Sequence, residues 1–353
     1  MLFIQNLFRD GLFFVFSVWG DNFTAMNEQL IHKYITQFSK LRRAQGAPHK
    51  PVLLLAMIKG IEAGEINSCR IFITPEILID FRETWDRVVT EPVLGKKTFS
   101  PKFFLPFFHL KSEPFWRLVC KPGTEILLTS SNSVQSFRAL DAAVEYAEID
   151  EDLFRLLSDP VSRELLRQGL MSRYFPDADK IVRSYTVIDD LQRQMLNDDP
   201  ETYRRRIEEI EKGSPEDEAE EELLVRSALF KREIPRIYNY QCAISGMRVT
   251  TPANTQISAQ MVDACHIRPF ADFRDDTIGN GLSLSPNLHR AFDRGLITIN
   301  DDFVVRVSPA IVETDSPYSL RQFEGKQITL PEDPKHYPLI QNLIWHRKER
   351  WLI

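Results

Sequence analysis

The sequence predicts an α+β protein: a mainly helical N-terminal region with short strands, followed by a smaller unit ordered strand, loop, strand, helix. Three observations lead there. Residues 51–61, PVLLLAMIKGI, place proline at a permitted helix start ahead of a nearly continuous apolar run, as in a helix buried on most faces. Residues 262–295 pass from a short strand signal through a Pro-, Asp- and Gly-rich loop to a second strand. They then present Ser285, Pro286 and Gly295 as the N-cap, first position and left-handed stop of a helix. A chain of 353 residues, 43% hydrophobic and 27% charged, can bury a sizeable core, which excludes a disordered or fibrous protein and suggests two domains.

The elements follow in order. Residues 1–26 are unusually apolar, but Arg9, Asp10 and Gly11 interrupt them, and the uncharged run 12–20 is too short to cross a bilayer. They read as an apolar arm or as a start assigned too far upstream, because Met26 opens a clean amphipathic segment, 27–41. After the 51–61 helix, residues 70–74 predict a strand and 75–89 an amphipathic helix. A polar loop with Gly95, Lys96 and Lys97 leads to 103–118, whose aromatics are too dense for a surface. Helical spacing is expected over 141–170, with Tyr174 to Pro176 stopping it. No internal repeat is apparent.

The formal net charge is −6, which as a bulk value argues against holding a polyanion. Its distribution argues otherwise. Residues 198–222 carry 12 acidic and 4 basic groups, whereas 1–197 balance at 24 of each and 223–353 carry 14 acidic and 16 basic. The acidity is assigned to a solvated linker, 198–222, between a region 27–197 and a region 223–353 that begins with the amphipathic helix 223–237. The cysteines, at 69, 120, 242 and 265, form no CxxC pair. A disulfide scaffold and a structural zinc are therefore not expected, and a reducing, cytoplasmic compartment is.

The chemistry concentrates in 240–308. This stretch begins YQCAISG, continues VDACHIRPFADFRDDTIGNGLSLSPNLHRAFDRG and ends LITINDDFVVRVS, where 296–299 and 303–307 predict a hairpin turning at Asn300, Asp301 and Asp302. These residues resemble the HNH family of ββα-metal nucleases. His266, Asn280 and His289 supply the three named positions, at separations of 14 and 23 residues, with the DD-x-x-x-N loop from Asp275 and Asp276 to Asn280 and the NLHRAFDRG helix around them.

The resemblance implies a metal-dependent endonuclease acting on double-stranded DNA. His266 is the implied general base, since an imidazole titrates near neutrality. His289 is the implied ligand of a divalent metal, Mg²⁺ or Mn²⁺, which neutralises charge on the transition state. Asn280 would brace the loop so that the His266 ring keeps its angle and tautomer, or it is simply a turn residue. One position departs from the pattern. Many of these nucleases carry an acidic or histidine ligand just before the base, where this chain has Cys265. A thiolate suits a soft metal and Mg²⁺ prefers oxygen, so Asp263, on the same strand face as Cys265, is the candidate carboxylate. Cys242 and Cys265 also read as small buried apolar side chains. Arg268, Arg290 and Arg294 read equally as phosphate contacts and as ion-pair partners.

The N-terminal region resembles, through APHKPVLLLAMI, PFFHLKSEPFWRL and RYFPDAD, the sulfur-binding domain of restriction endonucleases that attack phosphorothioate DNA. The resemblance implies an apolar pocket made by Tyr174, Phe175, Pro176 and Ala178, because sulfur is larger and less well hydrated than the oxygen it replaces. Lys50, His109, Lys111 and Arg117 would hold the neighbouring phosphates. The aromatics also read as core packing, and His49 and Lys50 as helix-start residues. Alternatives are an HNH endonuclease that reads a modified base and a DNA-binding regulator without catalysis. A homodimer is compatible with the sequence, and no membrane partner is expected.

Overall fold

In the computed structural model, residues 25–89, 99–124, 134–178, 186–214, 216–249, 261–314 and 316–353 are described. The apolar stretch 1–24 and the loop with Gly95, Lys96 and Lys97 lie outside them. Among the described residues no helix is long and apolar enough to cross a membrane.

The N-terminal region is built round one helix. Helix α1 (Ala25–Ser39) leads to α2 (His49–Glu62), in which twelve of fourteen residues are buried. The near-continuous apolar run has no polar face, so neighbours must cover it on all sides. Strand β1 (Arg70–Phe72) precedes α3 (Pro75–Val88), where the Thr74 hydroxyl caps the Ile77 amide and proline opens the first turn. Helix α4 (Phe104–His109), strand β2 (Trp116–Cys120), helix α5 (Phe137–Ala143) and strand β3 (Val144–Ile149) follow, then α6 (Glu151–Ser158) and α7 (Pro160–Tyr174). The helix α2 packs against α3, α4, α6 and α7.

Residues 144–149 depart from the helical spacing expected over 141–170. They form the central strand of an antiparallel sheet of order β1-β3-β2, with Glu148 opposite both Arg70 and Arg117. Val144, Ala147 and Ile149 are buried, a three-residue step followed by a two-residue step, so the local spacing matches neither a helix face nor a strand face throughout. Two distant strands decide the matter by supplying ladder hydrogen bonds on both edges.

The stretch expected to be an acidic linker is helical. After α8 (Val187–Asn197), Asp199 caps α9 (Pro200–Gly213), and α10 (Glu216–Ile237) starts within the acidic run. Tyr203 and Ile207, one turn apart on α9, are fully buried, and Glu221 of α10 accepts the Phe103 N–H at 2.9 Å. Glu201, Glu209, Glu211 and Glu216 lie on the exposed faces of these two amphipathic helices, while Tyr203, Ile207 and Ala219 face inward. The helix α10 packs on α3 and also on strands β4 (Asp263–His266) and β5 (Gly281–Leu284).

Those two strands pair antiparallel, His266 opposite Gly281, around the short helix α11 (Phe270–Phe273). Helix α12 (Pro286–Asp293) follows, with Ser285 at the N-cap position in extended backbone but with no side-chain cap bond. Gly295 ends it at φ +67°, where a Cβ would lie 1.8 Å from the Arg350 carbonyl oxygen, so glycine is required both by conformation and by space. Strands β6 (Ile297–Ile299) and β7 (Val305–Val307) form the hairpin, and α13 (Ile340–Glu349) closes the unit. The architecture is α+β, mainly helical with a few short strands.

Candidate active site

His266 stands at the end of β4, Asn280 immediately before β5, and His289 on α12, so the β4–β5 pair and the helix after it gather residues far apart in the chain. The His266 Nε2 lies 2.7 Å from Oδ1 of Asp276, which is fully buried. A carboxylate only accepts, so this pair assigns the proton to Nε2 and leaves the Nδ1 lone pair as the acceptor. On its flat face the imidazole meets the Phe230 ring of α10, with centroids 3.9 Å apart and planes within 6°. Ring angle and tautomer are thus set by Asp276 and Phe230.

Asn280 acts on the loop instead. Its Oδ1 accepts the Arg268 N–H at 2.9 Å, and its Nδ2 donates to the Arg268 and Asp275 carbonyls, each at 2.9 Å. One buried side chain therefore ties both ends of the excursion that delivers Asp276. Asn342 of α13 supports it, donating at 3.2 Å to the Asn280 Oδ1 and at 3.3 Å to the Gly279 carbonyl. Asp275, next to Asp276, accepts instead from the amide and hydroxyl of Thr277, at 2.9 and 2.6 Å, and burial pushes its carboxyl up.

His289 sits between two carboxylates. Its Nε2 is 3.4 Å from Asp293 Oδ2, one turn along α12, and its Nδ1 is 3.5 Å from Asp263 Oδ2 on β4. Cys265 Sγ lies 3.9 Å from Asp293 Oδ1. Ligand atoms of Cys265, His289 and Asp293 all lie within 4.8 Å of one another. An imidazole with a carboxylate on either side fits a divalent cation, which His289 would hold together with Asp293 or Asp263. Cys265 is the least suited donor to a hard ion. It is fully buried, and burial, then the Asp293 carboxylate, push its thiol well up.

Asp293 and Phe230 were not anticipated from the sequence, and Asp276 was named there only as part of its loop, without a role. Asp293 had a usable signal, since it lies four residues after His289 on a predicted helix and so shares its face. Asp276 was visible in the DD-x-x-x-N loop, but which of two adjacent acids turns toward the histidine depends on the path of the loop. Phe230 had no local signal. Of the arginines, Arg268 lays its guanidinium 3.5 Å from the Phe273 ring centroid and reaches Asn342 Oδ1 at 3.4 Å, while Arg290 and Arg294 are exposed.

In the N-terminal region Lys50 is buried, its ammonium 2.5 Å from Glu113 Oε1 and 2.8 Å from Ser112 Oγ, which commits it to an internal ion pair. His49 bonds the Ser100 carbonyl at 2.8 Å, and the start of α2 has no side-chain cap from either residue. His109 packs edge-on to Phe108, and the Lys111 ammonium lies 3.7 Å from the Phe108 centroid. Burial, then the charges of Lys50 and Lys111, lower the His109 pKa, so the imidazole stays neutral between the two lysines. The Tyr174 hydroxyl donates to the Phe38 carbonyl at 2.6 Å, and Arg43 covers its ring at 4.3 Å. Phe175 is buried, Pro176 exposed, and Ala178 partly covered by the core. Arg117 lies on the sheet and pairs with Glu148 of β3. Arg43 and the hub carboxylate Glu113, which also accepts the Arg42 N–H at 3.0 Å, were not anticipated.

Comparison with known proteins bears on the C-terminal unit. No curated protein matches the chain. A solved structure described as a modification-dependent TagI restriction endonuclease is similar at 23% identity, with a TM-score of 0.27. The alignment covers 35% of this chain and 38% of that one, so this chain spans little more than a third of that protein's length. The family model that matches is HNH endonuclease, over residues 242–300, which contain β4, β5, α12 and the His266–Asp276 pair. Residues 242–300 of this chain are an HNH endonuclease domain.

Proposed function

We propose that the chain is a metal-dependent DNA endonuclease of the restriction type, with residues 27–197 reading a phosphorothioate-modified duplex and residues 223–353 hydrolysing it. The observation that carries the catalytic part is the His266–Asp276 pair held beside the Cys265, His289 and Asp293 group. In this reading Nδ1 of His266 takes the proton of the attacking water, and Asp276 offsets the charge that the imidazolium then carries. Asn280 holds the loop that aims Asp276. His289 and Asp293, with Asp263 alongside, would hold the divalent cation, which when bound neutralises charge at the scissile phosphate and leaving oxygen.

The reading of modified DNA is supported by one neighbourhood of the N-terminal region, where the Tyr174 ring meets Phe175 at 6.4 Å between centroids and lies under the Arg43 guanidinium at 4.3 Å. An apolar surface accepts a sulfur atom at lower desolvation cost than oxygen, and nearby cations hold the flanking phosphates. Lys50, paired with Glu113, organises that carboxylate rather than contacting DNA. The test uses the full chain with His266→Ala, which keeps bound DNA intact. It should bind a phosphorothioate duplex about tenfold more tightly than the plain one, the worth of one apolar contact. The wild type should nick plasmid in Mg²⁺ or Mn²⁺, and the variant should not. Equal affinity for the two duplexes rejects sulfur reading, and a preference for a methylated or hydroxymethylated duplex would favour the modified-base alternative.

A further inference from the structure

We infer that Phe230 is a positioning residue of the nuclease, acting on the plane of the His266 ring. The inference rests on the proposed role of His266 and adds a residue that lies outside the matched segment 242–300. Asp276 fixes one edge of the imidazole at 2.7 Å, but a single hydrogen bond leaves the ring free to rotate about the axis of that bond. A parallel aromatic face at 3.9 Å removes this freedom, because tilting the imidazole drives its edge into the Phe230 carbons. The two contacts together define a plane and a direction for Nδ1.

Phe230 can do this only if it does not itself move, and α10 meets that requirement. Phe230 is fully buried, and Ile234, one turn on, occupies the space above Gly281, where a Cβ would come within 2.1 Å of Ile234 Cδ1. Gly281 is the register partner of His266, so the absence of a side chain there lets α10 settle directly onto the strand pair. At the other end of the same helix, Glu221 accepts the Phe103 N–H at 2.9 Å and Glu220 accepts the Arg138 N–H at 3.1 Å. One turn before Phe230, Arg226 is buried, with its guanidinium 5.4 Å from the ring centroid of Tyr203 on α9. The helix that carries the stacking ring is held at both ends, one of them in the N-terminal region.

The experiment compares the full-length wild type with Phe230→Leu and Phe230→Met, which keep apolar bulk but remove the planar face, and with Phe230→Tyr, which keeps it. Plasmid cleavage in Mn²⁺ is measured below the melting temperature of every variant. The Leu and Met variants should lose at least tenfold in kcat with KM and duplex affinity within twofold, as expected when a reacting group is misaimed rather than binding lost. Phe230→Tyr should retain at least a third of the wild-type kcat. A metal-free proton–carbon spectrum supplies a second readout: the His266 Cε1–H resonance should be shifted upfield in the wild type and Tyr variant, and return toward random-coil position in the others. A wild-type kcat in either the Leu or the Met variant overturns the inference, as does an unshifted His266 resonance in the wild type. If the wild type fails to cleave while the resonance behaves as stated, the proposed function fails and the hold of Phe230 on His266 stands.

Discussion

Replacing Asp276 with asparagine is the sharpest perturbation of this site, because it preserves shape and removes charge. The side chain is fully buried and meets Nε2 of His266 at 2.7 Å. In the wild type a carboxylate accepts from Nε2–H, and as Nδ1 gains a proton the bond becomes one between an anion and a cation. Exchanging a charge-assisted hydrogen bond for a neutral one forfeits about 1–2 kcal/mol. Two unit charges about 4 Å apart attract by about 4 kcal/mol at an effective dielectric near 20, which sets the upper end. The loss therefore falls between about 1.5 and 4 kcal/mol, or roughly 10- to 1000-fold in the chemical step. An asparagine that turns its NH₂ toward the ring would favour the wrong tautomer and push the effect to the higher figure. Single-turnover nicking of supercoiled plasmid at saturating Mn²⁺ measures this step, with thermal melting and duplex binding as controls. Asp275→Asn should cost much less activity, because that carboxylate serves Thr277. A rate for Asp276→Asn within threefold of wild type would refute the orientation argument.

Three further outcomes are expected. Asp293→Asn should raise the Mn²⁺ concentration needed for half-maximal cleavage about tenfold or more, with Asp263→Asn weaker and Cys265→Ser mild; a metal titration in which Cys265→Ser is the worst variant would make sulfur the principal donor. Burial raises the Glu221 carboxyl from 4.5 to about 7, so the folded state binds the extra proton and stability falls as pH rises from about 4.5 through 7, by roughly 3 kcal/mol. Urea unfolding of Glu221→Gln against wild type should show a stability difference that grows over that window in favour of the variant, and a pH-independent difference would contradict the assignment. Gly295→Ala should lower the melting temperature strongly, since its Cβ meets the Arg350 carbonyl oxygen at 1.8 Å and its φ is +67°; an unchanged melting curve would show that the α12 exit is not held as described.

What could be read directly from the sequence was whatever neighbours within a few residues determine. The apolar run 51–61 specifies a buried helix wherever it packs, and proline at 75 with Thr74 before it specifies a helix start. Ser285, Pro286 and Gly295 bracket α12 by backbone preference, and the His266, Asn280 and His289 spacing could be picked out because strand, loop and helix signals frame it. The rest depended on surfaces brought together from distant parts of the chain. Residues 144–149 form a strand because two others pair with both its edges, and residues 200–213 of the acidic stretch form a packed helix because Tyr203 and Ile207 are buried. The choice of Asp276 over Asp275, the place of Asp293 beside His289 and the ring of Phe230 on His266 follow from loop path and helix docking. Local preferences act through a few backbone angles and survive in any context, whereas the direction of a catalytic side chain is a sum of long-range contacts that exists only in the folded molecule.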